Sequence, residues 1–219
     1  MVSAWVTNLR FRWDTATRGA RTRQFAKDET LFLEGQSADT VFAIVDGRVR
    51  LTCFGFDGKE RHLMIIGRNG LVGDCGLLSS RNYVVSAVAA AEVEVCAVPM
   101  ADMVASLAQD PLLLRQHQEF SSVRFRILLR QLAMHGSNSG RRRVCLHLLD
   151  LVNSYGAPHR DGSVISIAFT QQEMGSICGL SRVSVSHVFT ALEREHVIAR
   201  AGRLVVVQDA ARLEQLSKT

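Results

Sequence analysis

Thr170-Gln-Gln-Glu-Met-Gly-Ser-Ile-Cys-Gly-Leu-Ser-Arg-Val-Ser-Val-Ser-His-Val-Phe-Thr-Ala-Leu192 is the stretch on which the fold of this chain turns. Thr170 followed three residues later by Glu173 is a capping box, which starts a helix. Gly175 lies inside that helix, where glycine is costly unless another backbone must come close. Gly179 can take a positive φ and end the helix, and Ser181 can cap the next one. In the second helix Val185, Val188, Phe189 and Leu192 fall at i, i+3, i+4 and i+7, giving one apolar face. Val183, Ser186, His187, Thr190 and Arg194 fall opposite, with Arg182 on the first turn. An ordinary helical hairpin needs only the apolar face. A small residue, a turn glycine four positions on and an apolar residue six beyond that together spell a helix-turn-helix, whose second helix offers small polar and basic groups to a major groove.

The rest of the composition suits that reading. The chain has 219 residues, enough for two domains with proper cores. Its net charge of +5 fits a polyanionic partner. Five cysteines without a Cys-x-x-Cys pair argue against a disulfide framework and for a reducing cytoplasm. The first twenty residues carry Arg10, Arg12 and Arg18 but no apolar core of a secretory signal. The longest apolar run, around Val84 to Ala91, is far too short to span a bilayer, so no membrane partner is expected.

Outward from the helix-turn-helix, the chain changes character twice. Trp5, Phe11 and Trp13 are expected to pack down an otherwise Arg-rich start. From Phe25 to Val98 short alternating runs appear: Thr30–Leu33, Val41–Val45, Val49–Phe54, Arg61–Ile66, Val84–Val88 and Val93–Val98. Turn residues punctuate them at Glu34-Gly35, Asp46-Gly47, Asp57-Gly58 and Arg68-Asn69-Gly70, which predicts a compact antiparallel β unit. Met100 to Leu107 reads as a short helix. Asp110-Pro111 then opens a helix over 110–135, with Asp110 as cap. In it Leu113, Phe120, Ile127 and Met134 recur every seven residues, with Val123 in the intervening row. That seam predicts self-dimerisation, against the alternative that the stripe packs on its own β unit.

Residues 136–140 read as a hinge. The first domain is therefore 1–135, and a second runs over 141–219. Arg141-Arg142-Arg143 starts a helix there; the three cations either touch phosphate or are a solvated helix start. Tyr155–Gly162 reads as loop and Ser163–Phe169 as strand. Val197–Ala199 and Leu204–Val207 form a wing whose Arg200 and Arg203 can reach phosphates. Asp209–Lys218 closes the chain as a helix. Expected DNA contacts are Thr170, Gln171, Ser181, Arg182, Val183, Ser184, Ser186, His187, Arg200 and Arg203.

At this point the sequence resembles the Crp–Fnr family of bacterial transcription regulators. The likeness runs from Phe25 to Val207. It rests on Glu34-Gly-Gln-Ser-Ala-Asp-Thr-Val-Phe-Ala-Ile-Val-Asp-Gly-Arg-Val-Arg50, on Gly70-Leu-Val-Gly-Asp-Cys-Gly-Leu-Leu78, and on the helix-turn-helix with its wing. The resemblance implies an α+β fold: an N-terminal antiparallel β-roll like a cyclic-nucleotide-binding domain, a long dimerisation helix and a C-terminal winged helix. It also implies a homodimer on near-palindromic double-stranded DNA, with an effector in the β-roll and RNA polymerase as partner if the output is activation.

The effector cradle departs from the cyclic-AMP pattern. The family's Gly-Glu is Gly73-Asp74 here. Its Arg-Ser pair, which neutralises the cyclic phosphate, matches Tyr83-Val84, and Arg81 is out of register. The adenine-facing hydroxyls of the long helix match Leu128 and Leu129. A buried phosphate without a guanidinium partner is costly, so cyclic AMP is disfavoured as the cofactor. An apolar ligand, a haem and no ligand stay open, as do a cyclic-nucleotide or redox response and a protein partner for the output. Cys75 is a candidate haem ligand by that resemblance, and a core thiol otherwise. Cys178 is expected in the core, where oxidation would disturb the helix-turn-helix. His62 and His117 carry no assigned role. Ser184 and His187 sit three apart on one helix, but no oxyanion donor, orienting acid, metalloprotease motif or phosphate loop accompanies them, so no enzyme is expected.

Overall fold

A computed structural model describes residues 3–7, 9–55, 58, 60–77, 82–135 and 139–218, and of Met134 and His135 the backbone. Asp57 of the expected hairpin turn, Arg81, residues 136–138 of the expected hinge and the Met134 side chain lie outside the described residues. The chain divides into two compact units, Trp5–Phe125 and the stretch from Arg126 onward. The division falls inside the long helix.

The first unit is a roll of two sheets. One has the strand order β1 (Trp5–Val6), β6 (Glu60–Gly67), β5 (Arg48–Phe54), β8 (Ser86–Ala89), β3 (Thr30–Phe32); the other runs β2 (Arg21–Phe25), β9 (Val93–Pro99), β4 (Thr40–Asp46), β7 (Leu71–Val72). All pairings are antiparallel except that β1 runs parallel to β6, with Trp5 opposite Ile65. The expected strands form, with bounds moved by a residue or two. Strand β2 was not legible, because Arg21-Thr-Arg-Gln is exposed along an edge and shows no apolar alternation. In β5 and β9 buried residues alternate in part with half-buried ones, whereas β4 is buried throughout Val41–Ile44 and β6 throughout Met64–Gly67; Val41, Val49, Ile66 and Val95 have no accessible surface. Phe32 and Phe42 stack at 5.8 Å in that core.

The unit also contains α1 (Asp14–Thr17), α2 (Met100–Gln109) and the start of α3 (Pro111–His135). Asp110 caps α3, its Oδ1 accepting from the amides of Leu112 and Leu113 at 2.9 and 3.1 Å. The N-terminal segment is fastened beside it. Gln116 pairs with both backbone groups of Arg12, at 2.9 and 2.6 Å. The Trp13 indole donates to the Asn69 carbonyl at 2.8 Å. Phe120 of α3 is fully buried, with the rings of Phe11 and Trp13 at 5.6 and 6.3 Å.

That packing corrects the expected seam. Leu113, Phe120 and Ile127 are buried, and Leu113 and Phe120 belong to the core of the first unit; Val123 is half-buried. The apolar side chains that α3 leaves exposed are Leu112, Leu114, Phe125, Leu128, Leu129 and Leu132. A period of seven marks an apolar face, but it does not say which partner covers it. The aromatic N-terminal segment took this one.

The second unit holds α4 (Gly140–Tyr155), α5 (Gln171–Cys178), α6 (Arg182–Arg194), α7 (Ala210–Lys218) and a four-stranded sheet. Its order is β10 (Gly156–His159), β11 (Gly162–Ile165), β13 (Leu204–Val207), β12 (Ile198–Ala201). Residues 156–159, expected as loop, form a hairpin with β11, which ends at Ile165. Pro158 hid that strand, yet β10 is an edge strand, where a missing amide is tolerated.

Phe120→Ala should lower the unfolding free energy by about 3–5 kcal/mol, measured by urea denaturation followed at Trp fluorescence. A loss below ~1 kcal/mol would show that Phe120 is not packed in the protein's own core.

Candidate nucleic-acid interface and effector site

Helix α5 starts as the sequence requires. The Thr170 hydroxyl accepts from the Glu173 amide at 3.0 Å, and the Glu173 carboxylate accepts from the Thr170 amide at 2.6 Å. A Cβ on Gly175 would lie 2.7 Å from the carbonyl oxygen of Leu180, so the turn backbone passes where a side chain would be. The Leu180 amide donates to the Gly175 carbonyl at 2.7 Å, closing the turn through Gly179 at φ 63°. Ser181 caps α6 through the Ser184 amide at 3.0 Å. Val185, Phe189 and Leu192 are buried, and Arg182, Val183, Ser184, His187 and Arg194 are exposed, with Ser186 and Thr190 half-buried. The face that the periodicity assigned to a groove is therefore free. Thr170, Ser181 and Ser184 also serve the helix ends: the Ser181 and Ser184 hydroxyls hydrogen-bond each other at 2.9 Å. Gln171 is half-buried on the first turn of α5.

The arginines sort into two groups. Arg203 stands exposed at the wing tip between β12 and β13. Arg200, expected to match it, donates to Glu193 of α6 at 2.6 Å and thus ties the wing to the recognition helix. The basic run of α4 also works inside the domain. Arg141 reaches Glu195 at 2.6 Å, Arg142 the Ser217 carbonyl at 2.9 Å, and Arg143 the Cys178 carbonyl at 2.7 Å. Neither a phosphate contact nor a solvated start was needed to explain the run: orphan carbonyls at the ends of α5 and α7 attract guanidinium groups. Of the 26 Lys and Arg and 21 Asp and Glu in the chain, 12 and 7 lie from Arg126 onward, so the whole net +5 resides there. Burial pushes the Cys178 thiol up to about 12 and the Cys145 thiol up to about 11, so both stay protonated core groups. All five cysteines are free.

In the β-roll, Gly73 and Asp74 follow β7, and the Asp74 side chain is fully buried against Arg124 and His117 of α3. Arg124 donates to Asp74 Oδ1 at 2.7 Å and with its other nitrogen to Oδ2, while His117 Nε2 lies 2.9 Å from Oδ2. Burial acts to raise the Asp74 carboxyl. The Arg124 and His117 contacts outweigh it and hold the carboxyl down at about 2. Neither Arg124 nor His117 was expected there. The signal was available: Arg124 lies four residues after Phe120 and three before Ile127, so a cation sits on the buried face and demands a buried acid.

Tyr83 is buried, stacked on Phe32 at 3.8 Å, and its hydroxyl donates to the Thr40 carbonyl at 2.6 Å. A Cβ on Gly73 would meet the Tyr83 ring at 3.1 Å, so that ring closes over the turn. Val84, Leu128 and Leu129 are exposed, as is Cys75, whose thiol is pushed up by lost hydration and the adjacent Asp74 charge. No helix among the described residues is long and apolar enough to cross a membrane.

A two-sheet roll carrying a long helix, followed by a winged helix-turn-helix, defines a class of DNA-binding regulators. Residues 22–110 match the cyclic nucleotide-binding domain family, and residues 142–216 match the Crp-like helix-turn-helix domain. The chain is 28% identical over 204 residues to the cyclic AMP receptor protein of Thermus thermophilus, covering 93% of this chain and 91% of that one. It is 27% identical over 190 residues to the anaerobic regulatory protein of Bacillus subtilis, covering 84% and 79%. Among solved structures, a CooA mutant from Carboxydothermus hydrogenoformans shares the fold at a TM-score of 0.86 and 15% identity, over 99% of this chain and 100% of that one. A CRP-family transcriptional regulator from Thermus thermophilus gives 0.69 at 26% identity, over 90% and 97%. The chain belongs to the Crp–Fnr family of transcription regulators and carries its DNA-binding helix-turn-helix.

The Asp74 carboxyl is held below its ordinary value, so its contribution to stability is present above the ordinary carboxylate range and is lost as the pH falls toward 2. Wild type should lose about 2 kcal/mol more stability between pH 4 and pH 2 than Asp74→Asn does. Parallel curves in urea titrations over that range would show that the carboxylate gains nothing from Arg124 and His117.

Proposed function

We propose that this regulator acts as a homodimer on a near-palindromic operator, with α6 of each protomer in a major groove, under control of an effector other than cyclic AMP. The observation that carries this reading is the exposed face of α6, Arg182, Val183 and His187, on the unit that holds all of the net positive charge. Arg182 reads a guanine through O6 and N7, Val183 packs on a thymine methyl, and His187 contributes one hydrogen bond. Arg203 and the amide end of α5 at Gln171 touch phosphate. The effector reading rests on the cradle. Among its described residues, the buried guanidinium of Arg124 is engaged by Asp74, and Tyr83 covers Gly73. Among the described residues of the cradle, a cyclic phosphate finds no free cation.

Dimerisation through α3 uses the face its own core leaves open. Phe125, Leu128 and Leu132 follow each other at three and four residues, with Leu129 beside them. The two half-sites then lie about one helical turn, roughly 34 Å, apart.

Arg182→Ala should cost about 1–3 kcal/mol per half-site and relax selectivity at one guanine. Selection from random DNA with both proteins checks this. Enrichment of one identical motif would place base reading elsewhere, and a gain in affinity for the selected operator on adding cyclic AMP would overturn the effector reading.

Leu132→Asp should give a folded monomer in sedimentation, because pairing would bury an unpaired charge. A protein that still sediments as a dimer would move the interface off this face of α3.

A further inference from the structure

Arg130 in the last turns of α3 reaches Asp150 in the middle of α4, twenty residues on. Its Nε donates to Oδ2 at 2.8 Å and its terminal nitrogen to Oδ1 at 2.6 Å, a two-pronged fork. The Asp150 side chain keeps only 10% of its surface, against 40% for Arg130. Exposed ion pairs contribute little, but this one has a half-exposed guanidinium on a largely buried carboxylate, and the planar fork sets direction as well as distance, which narrows the relative orientations open to the two helices.

What the fork joins gives it significance. Helix α4 packs on α5, α6 and α7, while its backbone comes close to α3 hardly at all among the described residues. Through Arg141, Arg142 and Arg143 it is bonded to Glu195, to the end of α7 and to the end of α5. Turning α4 therefore turns α6 with it. The α3 turns that carry Arg130 belong to the same compact unit as the winged helix, although residues 136–139 separate the two helices in sequence.

We propose that the Arg130–Asp150 fork is a positioning latch: it sets the angle of the reading head on the α3 stem and so selects the distance between half-sites that the dimer accepts. This rests on the dimeric, α3-paired reading of the protein given above. Each protomer carries one latch, so a small rotation at Asp150 is felt twice at the operator. The pair touches no base and adds nothing to half-site sequence preference.

The test uses the full chain and a series of operators with identical half-sites whose centres are moved apart or together by single base pairs. Wild type should favour one spacing. Asp150→Asn and Arg130→Lys should each reduce the affinity ratio between that spacing and its neighbours about tenfold, a loss of roughly 1.4 kcal/mol in discrimination. Both variants should keep wild-type affinity for duplexes bearing a single half-site, and the lysine variant retains the charge, so a general electrostatic effect is separated from the fork. An unchanged spacing profile in both variants would overturn the latch. So would a profile lost together with single half-site affinity, which marks damage to the domain. If wild type favours no spacing at all, the dimeric reading falls and takes the latch with it.

Discussion

Phe120 lies fully buried with Phe11 and Trp13 around it, and the face that α3 presents to the outside follows from that packing. A helix of 25 residues with more apolar positions than one face can hold has to divide them. The rings of the N-terminal segment take Phe120, and Gln116 holds the segment in place through Arg12. Phe125, Leu128, Leu129 and Leu132 remain for an external partner. Burying a Phe stabilises by roughly 1.5–3 kcal/mol. That is enough to decide between two faces of one helix when only one is met by its own chain.

Two arginine–carboxylate forks sit on the same helix, one in each compact unit. Arg124 answers Asp74 in the roll, and Arg130 answers Asp150 in the winged-helix unit. Both acids are largely removed from water, and each would be costly without its partner. In the roll, the fork joins α3 to the turn after β7. In the winged-helix unit, it ties the last turns of α3 to α4.

The basic residues divide by what surrounds them. Arg141, Arg142, Arg143 and Arg200 are drawn into carboxylates and helix-end carbonyls of their own domain. Arg182 and Arg203 are exposed on the recognition helix and the wing tip. For the run of three arginines the sequence left phosphate contact and a solvated helix start equally open, yet a helix start close to orphan carbonyls binds guanidinium groups first. The isolated arginines are the ones left for a polyanion.

Most of the helix-turn-helix was legible in the sequence, because its determinants are local. A capping box, a helix-breaking Gly179 and an apolar spacing act over a few residues, and the close approach at Gly175 leaves its mark in the residue type itself. The β-roll was legible for the same reason, except at the two-residue strands β1 and β7 and at the exposed edge strand β2; in the winged-helix sheet the Pro-containing edge strand β10 was missed. The effector cradle was legible only as Gly73-Asp74 and Tyr83. That Arg124 and His117 close on Asp74 depends on which face of α3 meets the roll, and periodicity along one helix is blind to that. By itself the sequence determined most of the elements, their order and the helix-turn-helix. The tertiary structure decided which apolar face was already taken and which charges were already paired, since both depend on residues fifty or a hundred positions apart competing for the same surface.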